Sequence, residues 1–120
     1  MNDMLSLKLA VVTSLLVKSL HTNVAQVIKW EEDPDNMGNL AQVTCYQISV
    51  DNVCSFSLRG QELTLHYLSF PSFDVSLTKY MDNPSVLLTA LETRLENQRE
   101  EAIDELMKQL DAALTPKTAE

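Results

Sequence analysis

The sequence is poor in glycine, with two in 120 residues. That scarcity excludes a collagen-like chain, a Gly-rich linker and a glycine-rich phosphate loop together. Cysteine is equally scarce. Cys45 and Cys54 stand alone, too few for a disulfide framework, and they read as free, half-buried thiols of a reducing compartment. Basic residues are few as well: 9 against 17 acids, for a formal charge of −8. A general nucleic-acid binder needs cations to displace counterions from phosphates, so direct nucleic-acid binding is not expected. An anionic membrane surface is excluded on the same ground. What is present is ordinary for a folded domain: 45% apolar and 22% charged residues, over a length that suits one core.

The longest apolar run is Leu9 to Val17, bracketed by Lys8 and Lys18. Nine residues fall far short of the ~18–20 that a membrane span needs. Asp3 precedes the run where an export signal would carry a base, so the segment reads as an ordinary buried helix of a cytoplasmic protein. Leu5, Leu9, Val12, Leu16 and Leu20 share one face at helical spacing, which predicts a helix over 4–20 with Asp3 as its cap. The other side is only weakly polar. A helix this apolar is expected to be covered twice, by its own sheet and by a partner.

The middle of the chain alternates as strands do. Strands are expected at about 24–32, 40–50, 53–58 and 62–69, with a further one at 73–79. Residues 24–32 also fit a helical continuation, and a strand is favoured because the next element is clearly one. Asp51-Asn52 and Arg59-Gly60 supply two-residue turns. These registers gather Val43, Cys45, Cys54, Phe56, Leu58, Leu63, Leu65 and Tyr67 on one face. Thr44, Ser55, Ser57, Glu62, Thr64 and His66 gather on the other, with Tyr46, Ile48, Val50 and Val53 as an apolar patch at one end.

Asn83-Pro84 is a strong helix start, Asn at the cap and Pro at the first helical position. No breaker follows until Thr115-Pro116, so the helix is expected over 84–114. At 1.5 Å per residue it is roughly 46 Å long, more than the ~35 Å diameter of a compact domain of this size. Leu91, Ala102 and Ala113 recur every eleven residues, as do Leu95 and Leu106, which keeps one face aligned along a nearly straight helix. A polar waist, Glu96 to Glu101, separates two apolar halves. The first half is expected to pack on the home sheet and the second on another chain. The interface residues that follow are Leu91, Leu95, Ala102, Ile103, Leu106, Met107, Leu110, Ala113 and Leu114.

Catalytic and metal motifs are not evident. His21 and His66 stand apart from Cys or carboxylates at ligand spacing and read as structural. No serine sits in a Gly-x-Ser-x-Gly elbow. Cys54 and His66 fall on opposite faces, which disfavours a Cys–His dyad. The Asp33 to Gly38 stretch echoes a calcium loop, with acids at positions one and three and glycine at six. It then fails at position five, Met37, and at position twelve, Thr44. Neither a cofactor nor a metal is expected, and the chain reads as non-catalytic.

The expected fold class is α+β: a four- or five-stranded antiparallel sheet with an N-terminal helix and a long C-terminal helix, in a single domain over 1–120. In size, acidity and helix–strands–helix order the chain resembles the bacterial secretion chaperones. The resemblance lies in bulk properties and carries over no site residue. The expected role is a small acidic protein-binding module, homo-oligomeric through its C-terminal helix, acting as an adaptor, assembly factor or secretion-type chaperone. Two other roles suit the same composition. One is an acidic inhibitor that mimics nucleic acid, and the other a structural subunit of a larger assembly such as a viral one. Calorimetric titration with calcium is expected to give no heat above dilution. Saturable binding at micromolar calcium, lost when Glu31, Glu32, Asp33 and Asp35 are neutralised, would make the acidic stretch a metal site instead.

Overall fold

Helix α1 spans Asp3–His21, one residue beyond the expected helix at each end. The computed structural model describes residues 3–32 and 42–116, so the calcium-like stretch from Asp33 to Gly38 and the first two residues of the strand expected over 40–50 lie outside the described residues. Asn23 ends α1 in the left-handed region, φ 61°, which lets Val24 and Ala25 return their N–H groups to Ser19 O at 3.0 and 3.1 Å. Strand β1, Gln26–Glu32, follows at once, and it includes Glu31 and Glu32. Four more strands complete the sheet: β2 Val43–Val50, β3 Cys54–Arg59, β4 Glu62–Tyr67 and β5 Phe73–Ser76. Each pairs antiparallel with the next, in the order β1-β2-β3-β4-β5. Helix α2, Pro84–Leu114, closes the chain. The protein is thus an α+β meander with both helices on one face of the sheet.

The first hairpin corrects the expected register. Val50 pairs with Cys54, leaving Asp51, Asn52 and Val53 as a three-residue loop with Asp51 at φ 50°. A slip of one residue turns β2 over relative to β3. The core face therefore takes Tyr46, Ile48 and Val50, and Val43 and Cys45 go to the other face. Periodicity could not decide this, because β2 is apolar on both sides. The second hairpin turns at Gly60-Gln61, with Gly60 at φ +62°. That moves partners by two positions, so Phe56, Leu58, Leu63 and Leu65 keep the shared face expected of them. Strand β4 stops at Tyr67, and Leu68 donates to Val53 O at 3.2 Å. The strand expected over 73–79 is cut at Ser76. Leu77 is fully buried and a single 3₁₀ turn, Thr78–Tyr80, follows it.

The core lies between the sheet and the helices. Leu16 and Leu20 of α1 meet Phe56, Leu58, Leu63 and Leu65 of the sheet and Leu87, Ala90 and Leu91 of α2. Burying such side chains stabilises by about 1.5–3 kcal/mol each. Only one side of α1 is used, while Met4, Leu7, Val11 and Leu15 stay exposed. By length and composition alone α1 is apolar enough to cross a membrane, although Thr13, Leu16 and Leu20 are spent in the core.

Three side chains of α2 tie it to the β1 side of the sheet. Arg94 is 1% exposed and donates through Nε to Ala25 O at 2.7 Å. Gln98 accepts from Val27 N–H at 2.7 Å and donates to Val27 O at 2.9 Å. Glu92 accepts from Tyr46 Oη at 2.7 Å and from Lys29 Nζ at 2.9 Å. The Tyr46 hydrogen bond, then the one from Lys29, holds the Glu92 carboxyl below the usual glutamate range. Burial, then the bond to Glu92, pushes the Tyr46 phenol up.

Two outcomes follow for stability. Gln98→Leu leaves two backbone groups of an edge strand without their protein partner and should cost about 1–2 kcal/mol in urea unfolding, while Glu105→Gln on the exposed arm should cost almost nothing. Because the folded pKa of Glu92 is depressed, its contribution is complete above the ordinary glutamate pKa. It is lost as pH falls through the folded value. Tyr46→Phe should lower stability at neutral pH by about 1 kcal/mol, and the gap to wild type should shrink in acid.

Candidate functional site

Among the described residues two surfaces lack a partner from the same chain. The first is the distal half of α2. The helix holds its N-terminus with Asn83, whose side chain accepts from Ser85 N–H at 3.0 Å. Leu91 is fully buried in the home core and Leu95 packs against it, so these two expected interface residues belong to the body. Gln98 is the last residue of α2 bonded to the sheet, at the β1 edge. Arg94 and Glu101, 3.4 Å apart, bridge the waist. From residue 99 to 116 every residue is exposed. The molecule is accordingly long, 74 × 40 × 28 Å, with a radius of gyration of 18.9 Å, against about 14 Å for a compact chain of this size.

This arm carries the remaining expected interface residues together. Ile103, Leu106, Met107, Leu110 and Leu114 are 46–79% exposed, and Ala102 and Ala113 share their side. At 100° per residue these seven fall in a sector about 160° wide that also takes Gln109. No charged residue of 102–114 lies in that sector. Asp104, Glu105, Lys108 and Asp111 all project from the opposite side of the helix.

The second surface is the face of the sheet turned away from both helices. Among the described residues no element covers it. Its β1 end is apolar, with Ile28 and Trp30 exposed. Cys45 sits there between Trp30 and Arg59 on the flanking strands, and it is buried. Burial, then the nearby Glu32 charge, pushes its thiol up. Burial does the same to Cys54 on the core face. Neither thiol is primed as a nucleophile.

The β5 end of this face is polar. Ser57 Oγ lies 3.0 Å from His66 Nε2, and His66 Nδ1 lies 2.8 Å from Asp74 Oδ1. His66 is therefore not the isolated residue that its sequence neighbours imply. Three successive strands bring the group together: Ser55 opposite His66, His66 opposite Asp74, and Ser57 one step along β3. Gln47 stands directly across from Ser57 on β2. The signal in the sequence was the shared face of Ser57 and His66 and the alternation that sets Asp74 apart from Phe73 and Val75. It needed the β4–β5 pairing to be read. Cys54, as expected, faces away from His66. Among the described residues no three His, Cys, Asp or Glu side chains are placed to hold a metal ion.

Comparison of the chain with protein-family models, with curated proteins and with solved structures finds no match in any of the three.

Proposed function

We propose that this protein is an acidic protein-binding module that pairs with a second copy of itself through the distal half of α2. The observation that carries the reading is the charge-free apolar sector of 102–114, exposed on a helix that has left its own core. A helix of about thirteen residues is marginal in water without tertiary packing. Five large apolar side chains on one side of it would supply that packing once a partner covers them.

A copy of the same chain suits this surface. Two arms laid antiparallel about a two-fold axis near Lys108 set Leu106 against Leu110 at the centre and, further out, the large Ile103 against the small Ala113. The acids of both arms point outward, so a chain of net charge −8 does not bring like charges into the seam. An isologous pair of this kind places the two bodies at opposite ends of the joined arms. Both sheet faces stay open to further partners, as an adaptor, assembly factor or chaperone requires.

Sedimentation equilibrium tests the pairing. The wild type should sediment near twice its 13.5 kDa at tens of micromolar. Leu106→Asp with Leu110→Asp should give a folded monomer whose core, judged by the near-ultraviolet signal of its tyrosines, is unchanged. A wild type that is monomeric at that concentration would sink the reading.

A further inference from the structure

The polar end of the open sheet face holds the parts of an acyl-transfer centre in bonding order. Asp74 faces His66 Nδ1 at 2.8 Å and Ser57 faces His66 Nε2 at 3.0 Å. For a neutral imidazole that donates to Asp74, one arrangement of protons satisfies both distances. Asp74 accepts from Nδ1–H, which leaves the lone pair on Nε2, and Nε2 accepts from the Ser57 hydroxyl. That is the tautomer in which imidazole can take a serine proton. Gln47, across from Ser57, has no hydrogen-bond partner for its carboxamide among the described residues. Its N–H is free to meet an oxyanion that forms over Ser57, a task that side-chain amides perform in other acyl-transfer sites.

We propose that Ser57, His66, Asp74 and Gln47 form a hydrolytic site for small carboxylic esters. The placement sets the substrate class. The four residues line one depression of about 670 Å³, shared with Leu68 and Phe73. It is large enough for a short ester, and Leu68, on the same side of the chain as His66 and exposed, is placed to meet its leaving group. His66 and Asp74 keep 33% and 69% of their side-chain surface in solvent. With water this near, the electrostatic gain is limited, which suits esters with good leaving groups rather than amides.

The reaction balances with water alone. Ser57 Oγ bonds to the ester carbonyl carbon while its proton passes to His66 Nε2. The carbonyl π pair moves to oxygen, where Gln47 donates to it. Collapse breaks the bond to the leaving oxygen, which takes the proton from His66, and Ser57 is left acylated. Water repeats the sequence: its proton goes to His66, its oxygen bonds to the acyl carbon, and the Ser57 bond breaks with return of the proton. Ester and water become acid and alcohol. Ser57 and His66 touch the reacting atoms, and Asp74 is a positioning residue that acts through His66.

The test uses the full chain with a fluorophosphonate probe and with p-nitrophenyl acetate. The probe should add once, at Ser57 by peptide mapping, and not at all to Ser57→Ala. His66→Gln should slow both labelling and ester turnover by about 100-fold or more, and Gln47→Ala should lower kcat by about 10- to 100-fold. Asp74→Asn should lower kcat with KM unchanged, and Asp74→Glu should recover part of the loss. All these side chains lie on the sheet surface, so thermal melts should match wild type. Absence of an adduct on wild-type Ser57 overturns the proposal, and that readout needs no variant to fold. Ester turnover that persists undiminished in Ser57→Ala overturns it equally, since a free imidazole would give that result.

Discussion

The carboxamide of Gln98, set against both backbone groups of Val27, is the contact on which the shape of this protein turns. β1 is an edge strand, and an edge strand presents N–H and C=O groups that seek a partner. Gln98 supplies a donor and an acceptor in one planar group, in the spacing another strand would offer. One turn earlier Arg94 reaches into the protein to cap Ala25, just before the strand begins. Together they pin α2 where it crosses the sheet margin. N-terminal to the crossing, Leu87, Ala90 and Leu91 pack in the core, and everything C-terminal to it leaves the body. The polar waist is thus the point where the helix passes from the interior of its own chain to solvent.

That crossing also separates two kinds of chemistry. The core face of the sheet is closed by α1 and the first half of α2, and its polar groups are few and paired. Tyr46, Lys29 and Glu92 form a small charged clasp at its margin. Among the described residues the opposite face carries no second layer, so its polar side chains can organise among themselves. The Ser57–His66–Asp74 row forms there because three neighbouring strands point one residue each to the same side. A covered face would have needed apolar residues at these positions. A projecting arm and an open sheet face are independent features, and a mutation in one is not expected to disturb the other.

The register of the first hairpin shows how far pattern reading reaches. Val43 and Cys45 alternate with Tyr46, Ile48 and Val50, so β2 offers an apolar set to either side. A two-residue turn at Asp51-Asn52 is good turn chemistry in itself, and it selects the wrong set. Adding Val53 to the loop brings Ile48 and Tyr46 onto the core, where they bury more apolar surface than Val43 and Cys45 could. The second hairpin was forgiving: its turn lies one residue further along, but a shift of two in the pairing preserves which side each residue faces.

By itself the sequence determined the elements, their order and the unusual length of α2. These follow from local terms: helical and alternating periodicity, the Asn83-Pro84 start, and the absence of any breaker before Pro116. It also determined the apolar stripe of the arm, because spacing along one helix needs no other part of the chain. Only the tertiary structure decided which face of β2 is buried, that Leu91 and Leu95 belong to the body, and that His66 has Ser57 and Asp74 as partners. Each depends on pairing between residues distant along the chain. Such pairing is chosen by the total surface buried and the hydrogen bonds completed across the whole sheet, not by preferences within any one segment.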